Sequence, residues 1–170
     1  PLTKNSYKYS ELAEGDAIES VTVMGTITKV GSEDNVPSNA VIKNGDGKVV
    51  TDNYDITYKK GTLTITASEK TLTVTANSQS WKYDGQSHSN GGYTVKYDGK
   101  EYPVAAGESV KLPTGDTVTA TITASVKDVT DTSTGNNKIV TLTVQNREQY
   151  GNVAQEDGTL TITPRSVTLT

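Results

Sequence analysis

The chain of 170 residues contains no cysteine and no phenylalanine, and only one methionine, one tryptophan and two arginines. Without cysteine it has no disulfide, no thiolate metal ligand and no cysteine nucleophile. The scarcity of arginine and the formal net charge of −4 argue against a nucleic-acid-binding protein. The sequence also has no apolar run of the length that a membrane helix needs, and no signal-peptide pattern.

Threonine and valine are the abundant residue types, with 28 and 18 copies. Both favour β-strands. Several segments alternate aliphatic residues with threonine at period two, which is typical of strands with one buried face. The segments with this pattern are residues 21–30, 62–66, 71–75, 117–126, 139–144 and 159–163. The pattern predicts an all-β protein, and Asp98-Gly99 between two aromatic-rich segments is the strongest hairpin signal.

Three short sequences occur twice in the same order. The hexamer Gly-Thr-Leu-Thr-Ile-Thr at residues 61–66 recurs at 158–163. Upstream of each copy lies a tyrosine, Tyr54 or Tyr150, and further upstream a Gly-Asp pair that ends at Asp16 or Asp116. Repeats in one order and at nearly equal spacing predict two tandem copies of one module.

We place the first module at residues 1–68 and the second at 69–170. The first copy has no counterpart of the strand predicted at 71–75, so its opening strand is missing and we expect an open edge there. Residues 166–170 match such an opening strand and are the candidate first strand of a following module. Because the chain begins at Pro1, we expect a processed protein or part of a longer one.

Short motifs in both copies resemble the YDG-type and MBG-type tandem repeats of bacterial cell-surface proteins. They are Lys-Tyr-Asp-Gly-Gln at 82–86, and Asn-Tyr-Asp-Ile-Thr-Tyr at 53–58 followed by the hexamer. The resemblance implies an extracellular, adhesin-like array that serves as a stalk or adhesion module. It implies no catalytic residue, so we expect no enzyme. The partners it implies are adjacent modules of the same chain, and a host glycan or protein ligand.

The spacing of the strands predicts the architecture of each module. About seven short alternating strands, with turns every eight to twelve residues or so, are typical of an Ig-like β-sandwich. The prediction is therefore two tandem Ig-like modules. A β-grasp-like sheet, with residues 9–15 as its short helix, is the alternative.

The polar residues predict no cofactor, no metal site and no catalytic group. His88 is the only histidine and stands in a polar, glycine-rich stretch, so we expect a solvated loop residue. Asp46, Asp52 and Asp55 could supply calcium ligands, but their spacing matches no calcium-binding loop, and solvated turn residues are the favoured interpretation.

A covalent bond between a lysine and an asparagine of neighbouring strands is a further hypothesis. It needs a buried lysine beside an asparagine and an acid. The candidate lysines and asparagines are Lys70, Lys82, Lys138, Asn77, Asn137 and Asn146. Exposed lysines that protect strand edges are the favoured interpretation.

Aromatic residues cluster in one stretch and carry the alternative function. They are Trp81, Tyr83, Tyr93, Tyr97 and Tyr102. A flat exposed set would stack on sugar rings, which would make the chain a carbohydrate-binding module attached to a larger secreted enzyme. In a chain without phenylalanine, the same residues are also expected to supply the large side chains of the core, and we favour that role.

Overall fold

A computed structural model describes all residues from 1 to 170 and divides the chain into two compact units, residues 1–67 and 68–170. Twelve β-strands and three short 3₁₀ turns make up the regular structure. The all-β prediction is confirmed. Residues 9–15 contain a turn but no helix, so the β-grasp alternative lacks the helix it needs. None of the chain's helical segments is long and apolar enough to cross a membrane.

Unit 1 is a three-stranded antiparallel sheet made of β1 (Ala17–Met24), β2 (Gly31–Lys43) and β3 (Gly61–Ile65), with a 3₁₀ turn at Thr51–Asn53. β2 is the central strand: its second half pairs with β1 and its first half with β3. The buried apolar core of unit 1 is small and consists of Ile27, Ile42 and Leu63.

Unit 2 contains nine strands in three sheets. The strands are β4 (Ser68–Ala76), β5 (Gln79–Lys82), β6 (Tyr93–Tyr97), β7 (Lys100–Val104), β8 (Ser109–Lys111), β9 (Thr117–Ile122), β10 (Ile139–Val144), β11 (Tyr150–Glu156) and β12 (Leu160–Thr163), with 3₁₀ turns at Val129–Asp131 and Arg147–Gln149. The sheets have the orders β11-β4-β6-β7, β10-β9-β8 and β12-β5.

Strand β4 lies at the centre of unit 2. It pairs in parallel with β11 on one side and antiparallel with β6 on the other. Its alternate residues Leu72, Val74 and Ala76 are buried in one core with Tyr93 of β6 and Val118 of β9. Because this core lies between the sheet that holds β4 and the sheet that holds β9, unit 2 is a β-sandwich.

Two of the predicted strands end before their sequence pattern does. β1 ends at Met24 and β9 at Ile122, and the apolar residues beyond them, Ile27 and Val126, form isolated bridges instead. After β1 the chain passes close to Asn35 at Gly25, where a Cβ atom would lie 2.6 Å from the side-chain oxygen of Asn35. Alternation alone could not reveal this interruption.

The predicted hairpin at Asp98-Gly99 is present. It connects β6 with β7, and both turn residues have positive φ angles, 52° for Asp98 and 74° for Gly99. Two-residue turns of this kind match the right-handed twist of the flanking strands.

Replacing Leu72 with alanine is expected to lower the free energy of unfolding of unit 2 by roughly 2–5 kcal/mol, because its fully buried side chain would leave a cavity. Leu169 is a matched control: it stands in an identical Thr-Leu-Thr sequence but is 91% exposed, so Leu169→Ala should cost less than about 0.5 kcal/mol. Urea denaturation followed by the fluorescence of Trp81, the only tryptophan, measures both variants. Equal losses would contradict the central position of β4.

Candidate functional site

The five aromatic residues predicted as glycan contacts do not share one exposed surface. Tyr93 and Tyr97 on β6 are buried in the core of unit 2, and Tyr102 on β7 packs against that core. A buried ring has no free face for a sugar, so Tyr93 and Tyr97 offer none. Trp81 is half-buried, and Tyr83 is exposed.

His88 is stacked on Trp81 rather than solvated in a loop, which corrects the expectation from the sequence. The two ring centroids are 4.8 Å apart, and the ring planes are inclined by 18°. The backbone of His88 forms an isolated bridge with Val126, and this bridge holds the ring beside the indole. One face of Trp81 is therefore covered by the imidazole.

Asp84 fixes this stack through its carboxylate. Its Oδ1 lies 3.0 Å from Nε2 of His88 and accepts a hydrogen bond of 2.9 Å from the backbone amide of Gln86. The hydrogen bond from Gln86, followed by that from His88, lowers the pKa of Asp84 below its ordinary value. The carboxylate is therefore ionised at neutral pH. Its hydrogen bonds hold the His88 ring and the turn at Gln86 in place, which is a structural role.

The acidic residues do not assemble into a metal site. No three histidine or acidic side chains converge as a group that could hold an ion, and this includes Asp46, Asp52 and Asp55. Of the lysines considered for a covalent bond, Lys70 and Lys138 are exposed and form ion pairs with carboxylates.

The repeat anchors meet in space in both units. The hydroxyl group of Tyr54 donates a hydrogen bond of 2.6 Å to Oδ2 of Asp16. The hydroxyl group of Tyr150 donates one of 2.7 Å to Oδ2 of Asp116. The sequence identifies these four residues as repeat anchors but does not show that they touch, because 38 and 34 residues separate the partners along the chain.

In unit 2 the pair has a defined ionisation state. Burial, the largest influence, raises the pKa of Asp116, but hydrogen bonds from Tyr150, Asn146 and Thr114 outweigh it and hold the pKa below the ordinary 3.8. Burial, with a further contribution from Asp116, raises the pKa of Tyr150 to about 12 against the opposing hydrogen bond with Thr114. At neutral pH an ionised carboxylate therefore accepts from a neutral phenol.

Besides the Asp–Tyr pair, both units share a second contact, which was not found from the sequence. Asn35 pairs with Gly61, the first residue of the hexamer, and Asn137 pairs in the same way with Gly158, the first residue of the second hexamer. Both asparagines are buried. Loops of different length separate each asparagine from its hexamer, and this difference hid the match. The sequence signal that could have identified this contact is an asparagine shortly before an aliphatic segment in each unit, Asn35 before Val36 and Asn137 before Ile139.

The repeat reaches back to the start of the described chain. Leu2 forms an isolated antiparallel bridge with Ile27, as His88 does with Val126. In each unit the backbone carbonyl two residues after the first bridge partner accepts a hydrogen bond from the buried asparagine, at 2.8 Å in unit 1 and 2.9 Å in unit 2. Residues 2–4 and 88–90 therefore occupy equivalent places.

No protein-family model, curated protein or solved structure matches this chain. The two units do resemble each other, because both are built on the same contacts. The features they share are the Asp–Tyr pair, the buried asparagine opposite the hexamer glycine, and the isolated bridge.

Replacing Tyr150 with phenylalanine is expected to lower the free energy of unfolding of unit 2 by about 1–3 kcal/mol at pH 7, because Asp116 loses a buried donor. Because the pKa of Tyr150 is raised to about 12, the folded unit favours the neutral phenol over the phenolate. The stability that Tyr150 contributes is complete below pH 10 and is lost as the pH rises through about 12. The stability deficit of Tyr150→Phe should therefore shrink between pH 10 and 12. Urea denaturation at several pH values measures it.

The matched control is Tyr83→Phe, since Tyr83 is exposed and its hydroxyl group has no hydrogen-bond partner in the protein. This control should unfold like the unmodified chain at every pH. A deficit in Tyr150→Phe that stays constant up to pH 12 would show that the phenol of Tyr150 is not the group responsible.

Proposed function

We propose that the chain is a non-catalytic repeat region of a bacterial cell-surface protein, in which the modules form a stalk or an adhesion region. Three features support the proposal: the resemblance to surface repeats, the two units built on the same contacts, and the join between them. β3 ends at Ile65 and β4 begins at Ser68. Tandem modules with so short a join are typical of arrays rather than of freely linked domains.

The strand pairing of unit 2 is the observation that carries this proposal. Two strands near the beginning of the unit, β4 and β5, pair in parallel with two strands near its end, β11 and β12. A force that separates the ends of the unit pulls the members of each parallel pair in opposite directions along their axes. All hydrogen bonds of a ladder then resist together, whereas a hairpin pulled at its open end loses them one at a time.

Side chains reinforce the same two strand pairs. Between β4 and β11, the hydroxyl group of Thr75 donates to Glu156 at 2.9 Å, and Asn152 donates to Thr71 at 3.2 Å. At the end of β12, Thr163 donates to a backbone carbonyl of β5 at 3.1 Å. Each such bond is worth about 1 kcal/mol or less at an exposed position. Their placement on both pairs suits a module that carries tension.

Single-molecule pulling tests this function directly, and the absence of native cysteine allows two attachment points to be chosen freely. Glu69→Cys combined with Pro164→Cys pulls the ends of unit 2 apart and shears both parallel pairs. Glu69→Cys combined with Lys100→Cys peels β4 from the β6–β7 hairpin. All three positions are exposed. We expect a clearly higher unfolding force for the first pair at equal loading rate.

The two cysteine pairs control for each other because both act on the same folded unit. Their stability in urea should be equal to within about 1 kcal/mol, so a difference in force comes from the pulling direction. An unfolding force for the first pair that equals or falls below that of the second would contradict a tension-bearing role.

The alternative function, a carbohydrate-binding module, now depends on Trp81 and Tyr83. Tyr83 is 39% exposed, whereas Trp81 is covered on one face by His88. If the role is structural, a glycan array should show no sugar whose binding is lost in Tyr83→Ala. A sugar that is bound by the unmodified chain and by the exposed-tyrosine control Tyr9→Ala, but not by Tyr83→Ala, would favour the alternative.

A further inference from the structure

The chain contains two Asn-Gly sequences, Asn44-Gly45 after β2 and Asn90-Gly91 before β6. In such a sequence the backbone nitrogen of the glycine can attack the side-chain carbonyl carbon of the asparagine, because a glycine has no side chain to hinder the approach. The reaction involves the attacking nitrogen, the carbonyl oxygen on which negative charge develops, and the amide nitrogen that leaves. The hydrogen bonds of these three groups differ between the two sites.

At Asn44 the hydrogen bonds favour the attack. The side-chain oxygen Oδ1 of Asn44 accepts from the backbone amides of Asp46, at 3.2 Å, and Lys48, at 2.9 Å. Two fixed donors stabilise the negative charge that develops on this oxygen, as an oxyanion hole does. The backbone nitrogen of Gly45 and the side-chain nitrogen of Asn44 donate to no acceptor in the protein. The attacking nitrogen and the leaving nitrogen are therefore both free.

At Asn90 the hydrogen bonds oppose the attack. The side-chain nitrogen of Asn90, which would have to leave, donates a hydrogen bond of 2.7 Å to Oε1 of Gln79. Its side-chain oxygen accepts from one amide only, that of Gly92. The backbone carbonyl of Asn90 accepts from Asn137, which is completely buried. These bonds hold both the leaving group and the backbone that would have to rotate before Gly91 could attack.

The backbone around Asn44 is less firmly held. Its carbonyl accepts a hydrogen bond of 2.9 Å from the amide of Gly47. The residues from Gly45 to Val49 are all exposed, so water can replace this bond when the loop moves. Local opening of an exposed loop costs much less free energy than opening a buried contact.

We propose that Asn44 is a site of spontaneous deamidation and that Asn90 is protected from it. The nitrogen of Gly45 forms a bond with Cγ of Asn44, and the Cγ–Nδ2 bond breaks. The proton of the attacking amide reaches the departing nitrogen through solvent, and ammonia is released. Water then opens the resulting succinimide ring at either carbonyl, which leaves an aspartate or an isoaspartate at position 44. The reaction is independent of the surface-protein role proposed above.

The reaction changes the loop in which it occurs. Both products carry a negative charge where the asparagine was neutral. Isoaspartate also adds one methylene group to the main chain, inside the loop that the isolated bridge between Lys43 and Val49 closes. We expect this bridge to loosen in the isoaspartate product. Hydrogen exchange of the Val50 amide, which donates to the carbonyl of Ile42 at 2.8 Å, should then become faster.

Peptide mapping by mass spectrometry tests the proposal on the full chain, incubated in mildly alkaline buffer. The two Asn-Gly sites are compared within the same sample. In the folded chain we expect Asn44 to convert at least about tenfold faster than Asn90, since one donor at a developing oxyanion is worth at least that factor. In the chain unfolded with guanidinium chloride, the two sites should convert at similar rates.

Gly45→Ala is the matched variant. A Cβ atom at position 45 would lie 3.7 Å from its nearest neighbour, the carbonyl oxygen of Gly15, and the φ angle of Gly45 is not positive. The variant should therefore fold, with an unchanged circular-dichroism spectrum. The methyl group beside the attacking nitrogen should slow the conversion of Asn44 roughly tenfold, because the near-attack geometry is harder to reach. The rate at Asn90 should not change.

Four results would overturn the proposal. The first is conversion of Asn44 and Asn90 at equal rates in the folded chain, and the second is conversion of Asn44 in the unfolded chain alone. The third is a folded Gly45→Ala variant that converts as fast as the unmodified chain. The fourth is a difference between the two sites that persists after unfolding, since neighbouring sequence rather than the fold would then be its cause.

Discussion

The pairing of β4 with both β11 and β6 is the interaction on which the rest of unit 2 depends. Thr75 of β4 and Glu156 of β11 are bonded although 81 positions separate them. Closing a loop of that length has an entropic cost, which grows only slowly with length. The buried side chains of Leu72, Val74 and Ala76 offset it by bringing the two sheets around one core. The same strand therefore closes the fold and supplies its interior.

The two units differ in β4 but share two contacts. The Asp–Tyr pair and the buried asparagine form in both units, so these contacts do not require β4. Burial differs: Val118 on β9 is completely buried, but its counterpart Ile18 on β1 is only half-buried. The Asp–Tyr pair and the buried asparagine position the backbone segments that they connect, and β4 supplies most of the hydrophobic stabilisation.

Strands with a clear local pattern could be predicted from the sequence, and contacts between distant residues could not. β10 was predicted with its observed bounds, since Val140, Leu142 and Val144 alternate with threonine over most of Ile139–Val144. β2 was missed because its first half, Gly-Ser-Glu-Asp-Asn, has no apolar alternation and is held by pairing with β3. β11 was missed because its sequence, Tyr-Gly-Asn-Val-Ala-Gln-Glu, has no alternation of aliphatic and polar residues, and pairing with β4 holds it in the sheet.

The candidate site shows the same limit. Repetition identified Asp116 and Tyr150 as anchors, but only their proximity in the fold gives them a role. The position of His88 was predicted wrongly because the polar residues around it say nothing of Trp81, which stacks on it from another strand. Parallel pairing of early with late strands has no local signal at all, yet it carries the functional proposal.

Hydrogen–deuterium exchange in dilute solution tests the central claim, that unit 1 follows the architecture of unit 2 without its central strand. The segments to compare are residues 152–156, which pair with β4, and residues 55–59, their counterparts in unit 1. The amides of 152–156 that bond to β4 should exchange only when unit 2 unfolds, whereas those of 55–59 should exchange almost as fast as in an unfolded chain. Equal, strong protection of both segments would contradict the account.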